Sequence, residues 1–423
     1  MALGLDEHGY SSSVLEQVVT AAARFSSFRD ATFAVQMAKI NISESQARRL
    51  AHEVGAELIA ERDRKAVEHR RRQLPTRTVV IPEAVVVEVD GGRIRTRAAD
   101  TPPGVHEAQN KEDKIACLAT LRGPTFATDP CPEPPESFRC PRRVQRLVSR
   151  MKGQTGRDDA QEIPEEPASV ATEPVAAEST ERWSPERLVR TCVASLEASS
   201  SFGPLVAAEA QERHFYEAKR RAFVADGAAY NRTIHAGYFR DFEPVVDLLH
   251  VLCYLYTSAY AVGGDESGGW SRYVVWLRAC WQGRVGEVLV ELDRSQERLG
   301  EPPSGEAKNA EERRDPRRLV AEARSYLRNN RDRMDYPRYR REGLPTTSSL
   351  VESLVGEFNA RVKGKQKHWS RPSGAESILQ LRAALLSEDD RLGRFFADRP
   401  GCPFRKRPIG NGCSDSQPTQ TAA

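Results

Sequence analysis

The stretch that most constrains this chain is VVVEVDGGRIRTR, residues 85 to 97. Val85, Val86, Val87 and Val89 are β-branched and read as the interior of a buried strand. Asp90 ends that run, and Gly91-Gly92 reads as a tight turn into a second short strand, Arg93 to Arg97. An acid delivered to the end of a buried strand is costly unless it has a cation. The pattern alone also fits a surface hairpin, so its meaning depends on acids elsewhere in the chain.

The chain has 423 residues, enough for two or three domains and a sizeable core. Its 39% hydrophobic and 29% charged residues suggest substantial exposed or linking chain. No apolar run is long enough to span a bilayer, and the N-terminus lacks the basic and apolar regions of a signal peptide, so a cytoplasmic protein with no membrane partner is expected. A net charge of +3 hides an acidic stretch at 158 to 186 and basic ones at 308 to 341 and 361 to 371. Eight cysteines without a CxxC pair argue for buried reduced thiols rather than zinc.

Residues 1 to 75 read as a helical domain. Val14, Val18, Ala22 and Phe25 share a helical face, 29 to 39 make a second helix, and Ser43 with Gln46 forms a capping box that opens a third. Ala47, Leu50, Ala51, Val54 and Leu58 turn inward, which leaves Arg48, Arg49 and His52 partly outward. That is where a helix-turn-helix reaches base edges; an ordinary helical hairpin fits the spacing equally well.

From 76 to 151 strand candidates follow at 78 to 97 and 114 to 122, then a proline-dense segment. Next comes a basic helix with Val144, Leu147, Val148 and Met151 inward. Residues 152 to 183, acidic and proline-rich, read as a disordered linker. Order resumes at Ser184-Pro185-Glu186, an N-cap with proline at the first helical position, and a second helix is expected from 204 to 221. Ala222 to Ala225 is a short strand ended by Asp226-Gly227, and Phe242 to Val246 another that leads into a helix through Asp247 and His250; this unit closes at 263. Residues 264 to 341 read as an all-helical insertion. In 342 to 400 a helix from Ser349 buries Val351, Leu354, Val355, Phe358 and Val362 and carries Glu352 at the edge of that face. Gly356, inside the helix, implies a close approach to its backbone. A last amphipathic helix is expected at 375 to 387, and 401 to 423 read as a frayed tail.

Asp90 after one strand, Asp226 after a later one and Glu352 on a helix beyond an insertion follow the order of a ribonuclease H-like core. The expected fold is therefore α/β, a ribonuclease H-like mixed sheet flanked by helices, with the helical insertion and the N-terminal helix-turn-helix domain. Two strand carboxylates and one from a facing helix can hold two divalent cations roughly 3.5 to 4 Å apart. Oxygen ligands suit Mg²⁺ or Mn²⁺.

Five segments carry a family resemblance: FRDATFAVQMAKINISESQARRLAHEVGAEL, VEVDGG around Asp90, ADGAAYN around Asp226, VVDLLHV around Asp247 and His250, and GLPTTSSLVES with RVKGKQKHW around Glu352. In this order they resemble the Kra-type insertion-sequence transposases of the DDE superfamily, over most of the chain except the acidic linker and the tail. The resemblance implies a catalytic, metal-binding triad of Asp90, Asp226 and Glu352 with two Mg²⁺ ions, and a supporting Asp247–His250 pair. It implies cleavage at insertion-sequence ends and joining of the 3′-OH to target DNA by a homo-oligomeric enzyme that brings two ends together on the nucleoid. Arg361, Lys363, Lys365, Lys367 and Trp369 would then hold the DNA backbone, with Arg48 and Arg49 reading the terminal repeats. Arg232 stands where relatives often carry tryptophan. A catalytically inactive DNA-binding derivative, or a host nuclease on the same core, also fits the acids.

Overall fold

The computed structural model describes residues 9–97, 109–154, 183–364 and 367–399. The elements in chain order are α1 (Ser12–Arg24), α2 (Phe28–Met37), α3 (Glu44–Arg70), β1 (Ala84–Thr96), β2 (Gln109–Arg122), α4 (Pro141–Gln154), β3 (Glu186–Ser195), α5 (Ser199–Glu212), β4 (Arg220–Ala225), α6 (Ala229–Tyr238), β5 (Glu243–Val246) and α7 (Leu248–Gly263). There follow α8 (Glu266–Trp281), α9 (Val285–Leu299), α10 (Ala310–Arg313), α11 (Pro316–Asn330), α12 (Tyr336–Arg341), α13 (Ser349–Val362), α14 (Pro372–Leu386) and α15 (Arg391–Asp398).

The strands form one mixed sheet in the order β3-β2-β1-β4-β5. β2 runs antiparallel to both β1 and β3, whereas β4 runs parallel to β1 and β5 parallel to β4. Side chains alternate across a strand, so Val85, Val87 and Val89 face a core built with α5 and α6. The even positions of β1 face the other way. At one end Ala84 and Val86 join a core made by α4, α7 and the helices of the insertion. At the other end Ile94 joins a second core made by α1, α2, α3, α13 and α14. Glu88, Asp90 and Gly92 are the even positions between them, so the two acids occupy a seam where two apolar cores meet on one face of the sheet. The N-terminal helices thus share a core with the sheet and with the chain's last helices.

Three expectations fail here. Gly91-Gly92 is not a turn: β1 continues straight through it, with Gly91 opposite Lys114 and Gly92 opposite Asp113. The glycines are needed because β2 comes too close. A Cβ on Gly91 would lie 2.6 Å from the Asp113 carbonyl oxygen, and one on Gly92 would lie 3.0 Å from its carboxylate. The segment opened by Ser184-Pro185 is the edge strand β3, not a helix. Its Val189, Thr191 and Val193 suit a pleated surface, and its outer edge is paired: Cys192 N–H donates to Ser387 Oγ and Arg190 N–H to Glu388. Gly356 has nothing within 4 Å of a built Cβ, so nothing approaches the α13 backbone there. The 152-to-183 linker, apart from the last turn of α4 and Trp183, lies outside the described residues, as does the tail from 400. No helix among the described residues is long and apolar enough to cross a membrane.

Candidate active site

The sequence assembles the seam from four elements. β1 carries Asp90 one residue beyond Val89, the last residue of β1 that pairs with β4. β4 stops at Ala225, and Gly227 takes a φ of +83° that turns the chain into α6, which leaves Asp226 at the strand's end. β5 ends at Val246, so Asp247 becomes the N-cap of α7 and accepts from the N–H groups of Leu249 and His250. Glu352 lies in the first turn of α13.

The ligand atoms of Asp247, His250 and Glu352 lie within 4.8 Å of one another. His250 Nδ1 is 2.6 Å from Asp247 Oδ2. Burial alone would push His250 down, but this bond and the charges of Asp247, Asp226 and Asp90 carry it up to about 9, so it is an imidazolium at neutral pH. Asp247, despite full burial, is held below its ordinary value by that partner and by the Ser348 and Leu249 N–H groups.

The carboxylates differ in how many bonds they already make. Asp247 uses both oxygens: Oδ1 accepts from Leu249 and Ser348, Oδ2 from His250 twice. Asp90, Asp226 and Glu352 are each bonded through one oxygen only among the described residues. Asp90 Oδ1 accepts from Gly91 N–H at 2.7 Å. Asp226 Oδ1 accepts from Ala228 N–H and Asn231 Nδ2, both at 2.8 Å. Glu352 Oε1 accepts from Ser348 Oγ at 3.2 Å. Asp247 is thus saturated by its partners, whereas Asp90, Asp226 and Glu352 each keep one oxygen without a hydrogen-bond partner among the described residues, as oxygen donors to a hard cation would; Asp90 and Asp226 are not in the cluster that Glu352 forms with Asp247 and His250.

Electrostatics separate Asp90 and Glu352 from Asp247. Burial, then the charges of Asp226 and Asp247, push Asp90 up to about 6 against the opposing pull of His250. Burial, Asp247 and Asp90 push Glu352 up to about 8. Groups so shifted repel one another in a poorly solvated place, and a divalent cation relieves that repulsion.

Several residues that support the seam were not singled out from sequence. Tyr326 of α11 donates its hydroxyl to the Asp226 carbonyl at 2.8 Å and stacks on Tyr254 of α7, and Asn330 packs against Gly227. Only the aromatic character of the insertion hinted at this. Glu88, fully buried, accepts from Val351 N–H at 2.8 Å; its place two residues before Asp90 was the available signal. Asp113 is also fully buried, with neither oxygen hydrogen-bonded, and burial pushes it up to about 6. It fills the space beside Gly92.

The expected DNA contacts divide. Arg48, Arg49 and Lys363 are exposed, and Arg49 Nε also reaches Gln46. Arg361 is not on the basic face: it is 4% exposed, donates to the Ala22 carbonyl at 2.8 Å and lies over the Phe28 ring. It pins α13 to the N-terminal helices, because its position, three residues after Phe358, falls on the buried side. Lys367 Nζ closes the end of α13 on the Ala360 and Arg361 carbonyls. Trp369 Nε1 donates to Val362, and its backbone bridges to Thr96. Lys365 lies outside the described residues.

No model of a known protein family matches the chain, and a search of curated proteins finds no match.

Proposed function

We propose that the protein is a DDE-type DNA transposase, a polynucleotidyl transferase with a ribonuclease H-like core. The observation that carries this reading is that Asp90 on β1, Asp226 at the end of β4 and Glu352 on α13 each keep one oxygen without a hydrogen-bond partner among the described residues, with Asp226 near enough to Asp90, and Asp90 to Glu352, for their charges to act on one another. The strand order β3-β2-β1-β4-β5, with its antiparallel half and its parallel half, supports it further.

In this reading the three carboxylates hold two Mg²⁺ or Mn²⁺ ions. Bound there, the cations lower the pKa of an attacking water or 3′-OH and neutralise charge building on the phosphate. The chain's residues do the rest. Asn231 and the Ala228 N–H fix the plane of Asp226. Tyr326 holds that turn from behind. The His250 imidazolium lowers the local negative charge and keeps Asp247 engaged. The substrate is double-stranded DNA at the element's ends and at the target, bound by a homo-oligomer. Exposed Arg48, Arg49 and Lys363 are the contacts most available to phosphate or base edges.

The test uses supercoiled DNA bearing the sequences that flank the gene, purified protein and Mg²⁺. Cleavage at the element's ends, abolished in Asp90→Ala and Asp226→Ala, is the expected result. Cleavage that survives both substitutions overturns the assignment. Binding of the ends without cleavage favours an inactive derivative, and cutting of unmarked junctions or RNA–DNA hybrids instead favours a host nuclease.

A further inference from the structure

α13 carries Glu352 but has no cap of its own. Ser348 occupies the N-cap position and makes no capping bond; its hydroxyl goes to Glu352 instead. The first N–H groups of a helix have no partner within it and need one when buried. Here two carboxylates from the sheet supply it. Asp247, beyond β5, accepts from Ser348 N–H at 2.8 Å. Glu88, from the middle of β1, accepts from Val351 N–H at 2.8 Å and also meets the Leu350 N–H.

Glu88 has no other evident reason to be there. It is fully buried on β1, opposite Cys117 on one side and Val224 on the other, and its Oε1 has no hydrogen-bond partner. An apolar side chain at this place would fill the same row without an orphaned polar atom. It is, however, two residues from Asp90 and on the same face of the same strand. A bond from Glu88 to the first turn of α13 therefore fixes how far along β1 the helix docks, and with it the separation of Asp90 and Glu352.

Building on the transposase reading, we propose that Glu88 is a positioning residue: it caps α13 from β1 and sets the register that brings Glu352 to Asp90. It touches no substrate and needs only an acceptor oxygen, which glutamine also has.

The test compares the full-length wild type with Glu88→Gln and Glu88→Met, the latter close in length but without an acceptor. Amide hydrogen exchange at Leu350 and Val351 is read first, because it does not depend on activity. In the wild type these two amides are expected to be as protected as the middle of α13. In Glu88→Met they exchange at least about tenfold faster, and in Glu88→Gln they stay near wild type. Mn²⁺ affinity follows the same order, weakened roughly tenfold or more by methionine and little by glutamine. In the cleavage assay, methionine lowers kcat with KM for DNA unchanged.

Rapid exchange of Leu350 and Val351 in the wild type overturns the proposal, and this holds even if Glu88→Met does not fold. So does wild-type exchange and Mn²⁺ affinity in Glu88→Met, or a Glu88→Gln protein as impaired as Glu88→Met. A wild type that binds no Mn²⁺ and cuts no DNA would sink the transposase reading instead, while the exchange comparison still decides the role of Glu88.

Discussion

Among the described residues, two buried clusters of charge are opposites. One lies where α3, α5, β3 and α15 meet. There Arg391 pairs with Glu209 and Asp389, Arg77 with Glu209, Glu212 and Asp389, and Arg394 with Asp389. Burial would push Glu209 and Asp389 up, yet arginines hold both below their ordinary values. At the seam the burial is similar, but the one close cation is His250, and Asp90 and Glu352 are pushed up. Glu212, in the first cluster, is still raised by burial and by the charge of Glu209 despite Lys65 and Arg77, so the contrast lies in Glu209 and Asp389, where the opposite charges outweigh burial. The first cluster is built to hold the chain together. In the proposed reading, the second keeps its repulsion for a bound cation.

The sharpest way to break this contrast is to remove one charge from each. Asp226→Ala is expected to lower DNA cleavage about a thousandfold or more, some 4 kcal/mol of transition-state stabilisation, while its thermal midpoint stays at or above that of the wild type. Arg391→Ala is expected to do the reverse. It removes the closest partner of Glu209 and one of the three arginines at Asp389 and costs about 3–5 kcal/mol of stability, measured by urea unfolding, and cleavage per folded molecule stays near wild type. If Asp226→Ala unfolds the protein, or Arg391→Ala leaves it as stable as before, the two clusters are not different in kind.

Their pH dependences have opposite signs. Asp90 and Glu352 have folded-state values raised from 3.8 and 4.5 to about 6 and about 8. Their contribution to stability is full below the unfolded values and is lost as pH rises through the folded ones. His250, raised from 6.5 to about 9, has the same sign. Glu209 and Asp389 are lowered, so their contribution is present above 4.5 and 3.8 and is lost as pH falls. With a chelator present, Asp90→Asn at pH 8.5 is therefore expected to stabilise the protein by about 1–3 kcal/mol, and at pH 4 to do almost nothing. Urea titrations at the two pH values decide it, and equal effects at both would contradict the repulsion.

Binding of Mn²⁺ sharpens the comparison further. Glu352, at about 8, still carries its proton at pH 7. Calorimetry in buffers of different ionisation enthalpy should show about one proton released per site filled at pH 7, and affinity rising between pH 6 and 8. No release would mean that Glu352 is not a ligand. The smallest effect belongs to Gly356→Ala. With open space at that helical position, alanine should add about 0.5–1 kcal/mol without changing cleavage, which would show that the helix itself is not under strain.

The elements around the seam were legible because each carries a local signal. Val85 to Val89 announce β1, Asp226-Gly227 ends β4, Asp247 caps α7, and Val351, Leu354, Val355, Phe358 and Val362 mark the face of α13 that is buried. Failures came where a partner far away in sequence decides the outcome. Gly91-Gly92 looked like a turn because its real constraint, Asp113 across the sheet, is invisible locally. Ser184-Pro185 is a sound helix start that pairing with β2 overrules. Arg361 belongs to a basic run in sequence, but helical periodicity turns it toward Ala22. The roles of Tyr326 and Glu88 depend on distances of 100 and 263 residues along the chain.

α14 has a consequence for how the chain is made. It is buried on nearly every side, from Ala375 to Ala384, among α1, α3, α13 and β3. It approaches α3 so closely that a Cβ on Gly55 would lie 2.6 Å from that of Ser377. Helices α1 and α3 are thus completed by α14, which is synthesised long after them. Until α14 emerges, Val54, Leu58 and their neighbours have no cover. A nascent or prematurely ended chain should therefore be a substrate for chaperones and proteases, and only a chain synthesised through to α14 should acquire a settled N-terminal half.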